Sequence, residues 1–274
     1  MNKLNFFQNK PKATKIDVDS YLNRIELEKE QPSLSYLKKL QKAHLLHIPF
    51  ENLDIHYGSR IILDYGKIYD KVINRGRGGF CYELNGLFYH LLYHLGFECY
   101  IISAEVYSKD NQSFGRPFDH MAIIVRMSDE EFLVDVGFGD GIINPFKLVK
   151  ETVQMDHTKY WKMVTDPDER LILQVSNDTT LFSSQLRFTL AEKQLIEFME
   201  MCDYHQSSPS SSFTQKKLVT KLLPNGRVTL TDRKLKIQDM GVTEESEIMH
   251  EDEFLSKLEQ HFFISFQQLI PSES

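Results

Sequence analysis

The chain has 274 residues, 41% hydrophobic and 26% charged, enough for a substantial core in one large domain or two to three small ones. A net charge of −7 argues against a general nucleic-acid binder, which needs a basic surface to displace counterions. There is no apolar run of membrane-spanning length and no signal-like segment in residues 1–12, and the three cysteines lack metal-ligand spacing, so a cytoplasmic setting without membrane, nucleic acid or metal is expected.

Residues 1–15 are polar and read as a frayed terminus. From Asp17, Tyr21, Leu22, Ile25 and Leu27 trace a helix that Pro32 stops. Ser33 caps a second helix, with Leu34, Leu37, Leu40, Ala43 and Leu45 facing inward. It ends before Ile48-Pro49-Phe50-Glu51-Asn52-Leu53, where the proline breaks it and forces the preceding residue to extended geometry. Residues 67–74 predict a short helix. Then Arg75-Gly-Arg-Gly-Gly-Phe-Cys-Tyr-Glu-Leu-Asn-Gly86 brings a cysteine to the point where a glycine-rich loop enters a helix. Leu84, Leu87, Phe88, Leu91, Leu92 and Leu95 keep one helical face, and Gly96 marks its end.

After Gly96 the period shortens. Residues 97–107, 119–125 and 131–136 predict strands, with a loop at 108–118 holding Gly115 and Pro117. Residues 160–165 and 171–175 flank the turn Asp166-Pro167-Asp168, a hairpin. With no helix between them, these strands fit an antiparallel sheet or barrel. A helix is expected over 191–203, then a serine-rich loop, then a hairpin through Pro224-Asn225-Gly226, where Asn-Gly suits a type I′ turn. Residues 252–263 form an amphipathic helix carrying Phe254, Leu255, Leu258 and Phe262.

A lone cysteine is more often a buried structural residue than a nucleophile. Here Arg75, Arg77 and the paired glycines shift the balance. In the first helical turn, free N–H groups and the helix dipole favour an anion, so the Cys81 thiol is expected to fall below its ordinary value of about 8.5. Gly78 and Gly79 are expected to leave room for a substrate. A thiolate nucleophile needs a base and a group that orients it. His120 opens an apolar strand at a fixed position. Asp135 lies within Phe132-Leu-Val-Asp-Val-Gly-Phe-Gly139, where an ionised carboxylate needs a partner. Asp119 is the rival orienting group, but as a strand neighbour of His120 it should point to the other face. His90 and His94, four apart on the cysteine helix, lack a third ligand and read as solvated surface.

Arg77–Cys81, the His120-Met121 strand, Val134–Gly139 and Ile48–Leu53 together resemble the arylamine N-acetyltransferase family. The match runs in order from about residue 17 to 145, and more loosely through Tyr204–Phe213. The resemblance implies an α+β multidomain fold with a cysteine-protease-like core: a helical bundle at 1–95, a β-barrel at 96–190 and an α/β lid at 191–274. It makes Cys81, His120 and Asp135 the catalytic triad. It implies two-step acetyl transfer from acetyl-coenzyme A, a substrate rather than a bound cofactor, to a small aromatic amine, hydrazine or hydroxylamine. Phe50, Phe138 and Phe213 would line the acceptor pocket, and Gly137 and Gly139 would admit the pantetheine arm. Asp140 stands where some relatives carry a basic residue, which argues against a preference for carboxylated arylamines. Three rivals share these residues: a peptidase or transglutaminase, an amide synthase using a larger acyl thioester, and a non-enzymatic interaction protein.

Overall fold

The computed structural model of the chain describes residues 16–270. The terminus read as frayed, 1–15, lies outside the described residues, as do 271–274.

Side-chain caps set the first helices. The Asp17 carboxylate accepts from the Asp19 N–H (3.0 Å) to begin α1 (Val18–Arg24). Ser33 accepts from the Tyr36 N–H (3.1 Å) to begin α2 (Leu34–His47). Next come β1 (Phe50–Glu51), α3 (Leu53–His56) and α4 (Tyr65–Tyr69). Instead of one short helix over 67–74, the chain leaves α4 through a π turn at Asp70–Asn74. The cysteine helix is α5 (Cys81–Leu95), which ends at left-handed Gly96 (φ 92°). Only Tyr93 and His94 of α5 escape burial. His90, expected in solvent, is therefore inside: the Tyr65 ring stacks on it at 4.4 Å, and burial pushes its imidazole down to about 4. The leucine face did not reveal that α4 covers a second side of this helix.

Nine antiparallel strands follow: β2 (Glu98–Ser108), β3 (Ser113–Phe114), β4 (His120–Met127), β5 (Glu130–Val134), β6 (Phe146–Lys147), β7 (Gln154–Asp156), β8 (Lys159–Thr165), β9 (Leu171–Ser176) and β10 (Ser183–Lys193). Their order is β6-β5-β4-β2-β10-β9-β8-β7, with β3 attached to β2. The end strands β6 and β7 are tied by the Gln154 carboxamide, which donates to the Lys147 carbonyl (2.8 Å) and accepts from its N–H (3.3 Å). The sheet thus curls into a nearly closed barrel around Ile102, Leu133, Trp161 and Leu173, while Ile101, Met121, Ile123 and Val125 face α5.

The helix expected from Ala191 begins later. Glu192 and Lys193 pair with Ile102 and Ile101 across an irregularity in β10, so the strand persists until a 3₁₀ turn at Leu195–Phe198 leads into α6 (Met199–Ser207). Pairing with β2 overrides the local helical spacing. After α7 (Ser212–Gln215), strands β11 (Leu218–Leu223), β12 (Gly226–Thr231), β13 (Lys234–Asp239) and β14 (Val242–Glu247) form a second sheet, whose first member is β1. Its inner face packs on α8 (Glu251–Phe262) through Val219, Val228, Leu230, Phe254 and Leu258. Leu223 pairs with Gly226, so the first turn is Pro224-Asn225 and not Asn225-Gly226. The glycine is needed for contact with β13, because a Cβ there would stand 1.8 Å from the Gln238 carbonyl oxygen. Positive φ at both turn residues, the mark of a type I′ turn, occurs instead at Met240 (49°) and Gly241 (78°). No described helix is long and apolar enough to cross a membrane.

Candidate active site

The loop before α5 is anchored from below by buried charge. The fully buried Arg77 guanidinium donates to Glu51 through Nε (3.0 Å) and Nη2 (2.7 Å), to Asp54 (2.9 Å) and to the Gln268 carbonyl (2.8 Å). Lys71 bridges Asp54 (2.7 Å) and Glu83 (2.8 Å), while Glu83 also accepts from the Phe80 N–H (3.1 Å) at the mouth of α5. Three carboxylates thus share two cations. Lys71 is held up by its acidic neighbours against the cost of burial. Glu83 is the surplus acid, pushed up by burial to about 7. Gly78 and Gly79 serve this packing rather than a substrate: a Cβ would meet the Pro49 carbonyl oxygen at 2.0 Å and the Glu83 side chain at 2.8 Å, respectively.

Cys81, His120 and Asp135 are each about 3% exposed. His120 Nε2 lies 2.7 Å from Asp135 Oδ2. A carboxylate only accepts, so Nε2 carries the proton and Nδ1 keeps the free lone pair. Asp135 Oδ1 accepts from the Gly137 N–H (2.8 Å) and from Asn85 Nδ2 (2.8 Å). Asn85 Nδ2 also donates to the Met121 carbonyl (2.6 Å), and its Oδ1 accepts from the Val136 N–H (2.9 Å). One amide, a helical turn beyond Cys81, therefore ties α5 to β4 and to the segment after β5. Gly137 is compressed against the same place: a Cβ would stand 2.7 Å from Asn85 Nδ2 and 2.8 Å from Cys81 Cα.

The thiol departs from the expectation drawn from its helical position. Burial pushes Cys81 well up, the Asp135 and Asp119 carboxylates act in the same direction, and only the Met121 N–H opposes them. Burial and the nearby carboxylates favour the neutral thiol, so a thiolate here needs a proton acceptor beside it.

Cys81 and His120 line one cavity of about 480 Å³, together with Phe50, Phe138, Phe213, Gly137 and Gly139. All three predicted pocket aromatics thus face the space beside the sulfur. Phe138 meets the His120 ring edge-on at 5.2 Å, and Phe213 lies 6.1 Å from Phe50.

An N-acetyltransferase family model matches residues 33–270. Human arylamine N-acetyltransferase 1 is 30% identical over 284 residues, covering 93% of this chain and 97% of the relative. The chain belongs to the arylamine N-acetyltransferase family. It is also 29% identical over 246 residues to proansamycin X synthase of Amycolatopsis mediterranei, covering 87% of this chain and 94% of that one. The Mycobacterium marinum arylamine N-acetyltransferase in complex with CoA superposes with a TM-score of 0.84 at 26% identity, covering 93% and 95% of the two chains. The protein is accordingly an acyltransferase of this family, for which acetyl-CoA is a substrate.

Two residues of this arylamine N-acetyltransferase site differ from the sequence reading: Asn85, buried behind the cavity wall, and Asp119, on the wall itself. Asn85 carried a signal: four residues after Cys81, among Leu84 and Phe88, it is a polar group on a buried face. Asp119 was expected to point away from His120, yet both line the cavity. Strand alternation fails because Asp119 precedes β4, in a bend after positive-φ Phe118 (65°).

Proposed function

We propose that this enzyme transfers an acetyl group from acetyl-coenzyme A to the nitrogen of an arylamine, arylhydrazine or N-hydroxyarylamine in two steps, through acetyl-Cys81. The observation that supports this most is the His120–Asp135 hydrogen bond on the wall of the cavity that holds Cys81. Because burial holds the thiol up, the sulfur becomes nucleophilic as its proton passes to His120 Nδ1. Sulfur attacks the thioester carbonyl, the bond to coenzyme A breaks, and His120 returns the proton to the departing thiolate. One thioester replaces another, so the acetyl group is stored without a deep energy well. An arylamine, weakly basic and uncharged near neutral pH, then attacks acetyl-Cys81. His120 takes the amine proton and gives it to the Cys81 sulfur as the carbon–sulfur bond breaks. Asp135 steadies the imidazolium throughout. N–H groups in the first turn of α5 are the proposed oxyanion donors, and Phe138 offers its face to the acceptor ring.

Mixing the protein with acetyl-coenzyme A alone is expected to release one thiol per chain and add one acetyl group to Cys81. Thiol release that persists in Cys81→Ala, or no acylation of Cys81, would refute the reading; reaction with peptide amides would favour a peptidase. Similarity to a relative named as a synthase keeps a second reading open, a larger acyl thioester as donor. An acyl-donor panel separates the two.

A further inference from the structure

A second carboxylate–imidazole pair lines the cavity and takes no part in the steps above. His205, on α6, places Nε2 3.2 Å from Asp119 Oδ1, outside hydrogen-bond geometry, so this buried nitrogen has no hydrogen-bond partner. His205 is 7% exposed, and its ring is enclosed by Phe213 (5.2 Å), Tyr204 (5.5 Å) and Tyr82 (6.0 Å). Asp119 is fixed from the other side by Gly115, where a Cβ would lie 2.3 Å from Oδ2. The carboxylate therefore sits in a fitted niche, and both residues border the space that holds Cys81 and Phe138.

The remaining charges of the cavity come from elsewhere in the fold. Arg227 of β12 and Lys236 of β13 supply the cations; Arg227 lies 3.5 Å from Asp140, which Lys159 also holds at 2.6 Å. The cavity thus has a cationic part built from the second sheet and a carboxylate part built from Asp119 and α6. Its two substrates differ in the same sense. Coenzyme A is a polyanion suited to the cations. An aromatic amine suits aromatic walls, and a carboxylate among them accepts N–H or O–H bonds while opposing a second carboxylate.

We propose that Asp119, backed by His205, is a recognition site for a cationic or hydrogen-bond-donating substituent on the aromatic acceptor, and that the cavity selects such amines over carboxylated ones. Naming the ligand as the acceptor rests on the two-step reading above; the binding test does not. Titration calorimetry on Cys81→Ala protein, which has lost the sulfur, reads the cavity directly with three probes of one ring size: 4-aminobenzylamine, 4-methylaniline and 4-aminobenzoate. Affinity is expected to fall in that order. Adding Asp119→Asn, which keeps the shape and removes the charge, is expected to shrink the benzylamine-to-benzoate ratio at least fivefold. A smaller change overturns the proposal. So does an initial preference for the benzoate, which needs no change at Asp119 to be seen. Failure of the cysteine chemistry appears separately, as absence of thiol release from acetyl-coenzyme A.

Discussion

Replacing Asn85 with alanine isolates the amide that joins the cysteine helix to Asp135. The substitution removes three buried hydrogen bonds, to Met121 (2.6 Å), Asp135 (2.8 Å) and Val136 (2.9 Å). The stranded Val136 N–H costs about 1–3 kcal/mol, the bond to a carboxylate contributes about 1.5–3, and the bond to a neutral carbonyl about 1. A loss of about 5 kcal/mol is expected, a large share of the roughly 5–15 kcal/mol that holds a domain folded. Urea unfolding measures it directly. Asp135 keeps His120 and the Gly137 N–H but loses the contact that fixes its rotation. The first-order rate of Cys81 acylation should therefore fall at least about tenfold, equivalent to about 1.4 kcal/mol of barrier, while the concentration of acetyl-coenzyme A for half-maximal rate stays put. Rates are read on protein whose near-ultraviolet dichroism shows an intact fold. A variant that loses less than about 1 kcal/mol and acylates normally would refute the claim that Asn85 holds the acid in place.

Two further substitutions probe the surroundings. Glu83 has its folded value raised from 4.5 to about 7, so the folded protein holds a proton that the unfolded chain releases; the associated stability is present below about pH 4.5 and is lost as pH rises through 7. Between pH 4.5 and 8 the stability of Glu83→Gln should thus gain about 3 kcal/mol on the parent by urea unfolding, and a flat or reversed difference would dismiss Glu83 as the surplus acid. Gly137→Ala forces a methyl group against Asn85 Nδ2 and Cys81 Cα, at 2.7 and 2.8 Å. It should cost about 1–3 kcal/mol and slow acylation, read by denaturation and thiol release; normal values for both would mean that the segment after β5 yields freely.

The cysteine helix was legible because its cues are local: one leucine stripe, one glycine stop and a glycine-rich entry define it. His120 and Asp135 stood out as polar residues set against apolar strands. What escaped notice depends on contacts distant in sequence. Cys81 is held as a thiol by its burial and by the Asp135 carboxylate, both set by contacts that a helix-end argument omits. The edge strand β14 is exposed along its whole length and, with three glutamates among six residues, carries no hydrophobic period; only Leu235 and Ile237 of β13, interleaved with lysines, mark the inner face. Gly226 looked like a turn residue, but its missing side chain answers to a backbone oxygen of β13. Strand alternation does not govern Asp119, which lies one residue before β4 in a bend after left-handed Phe118.

The pairing of Phe50 with Thr220 and Glu51 with Val219 has a consequence for synthesis. At about 5–20 residues per second, a ribosome that has made the first partner needs on the order of ten seconds or more to deliver the second. For most of that interval Cys81 has already been made, while the aromatic wall near its sulfur is unfinished. A nascent chain of this protein is therefore open to thiol-directed reagents until β11 appears, and a terminated chain that stops before β11 never closes that window.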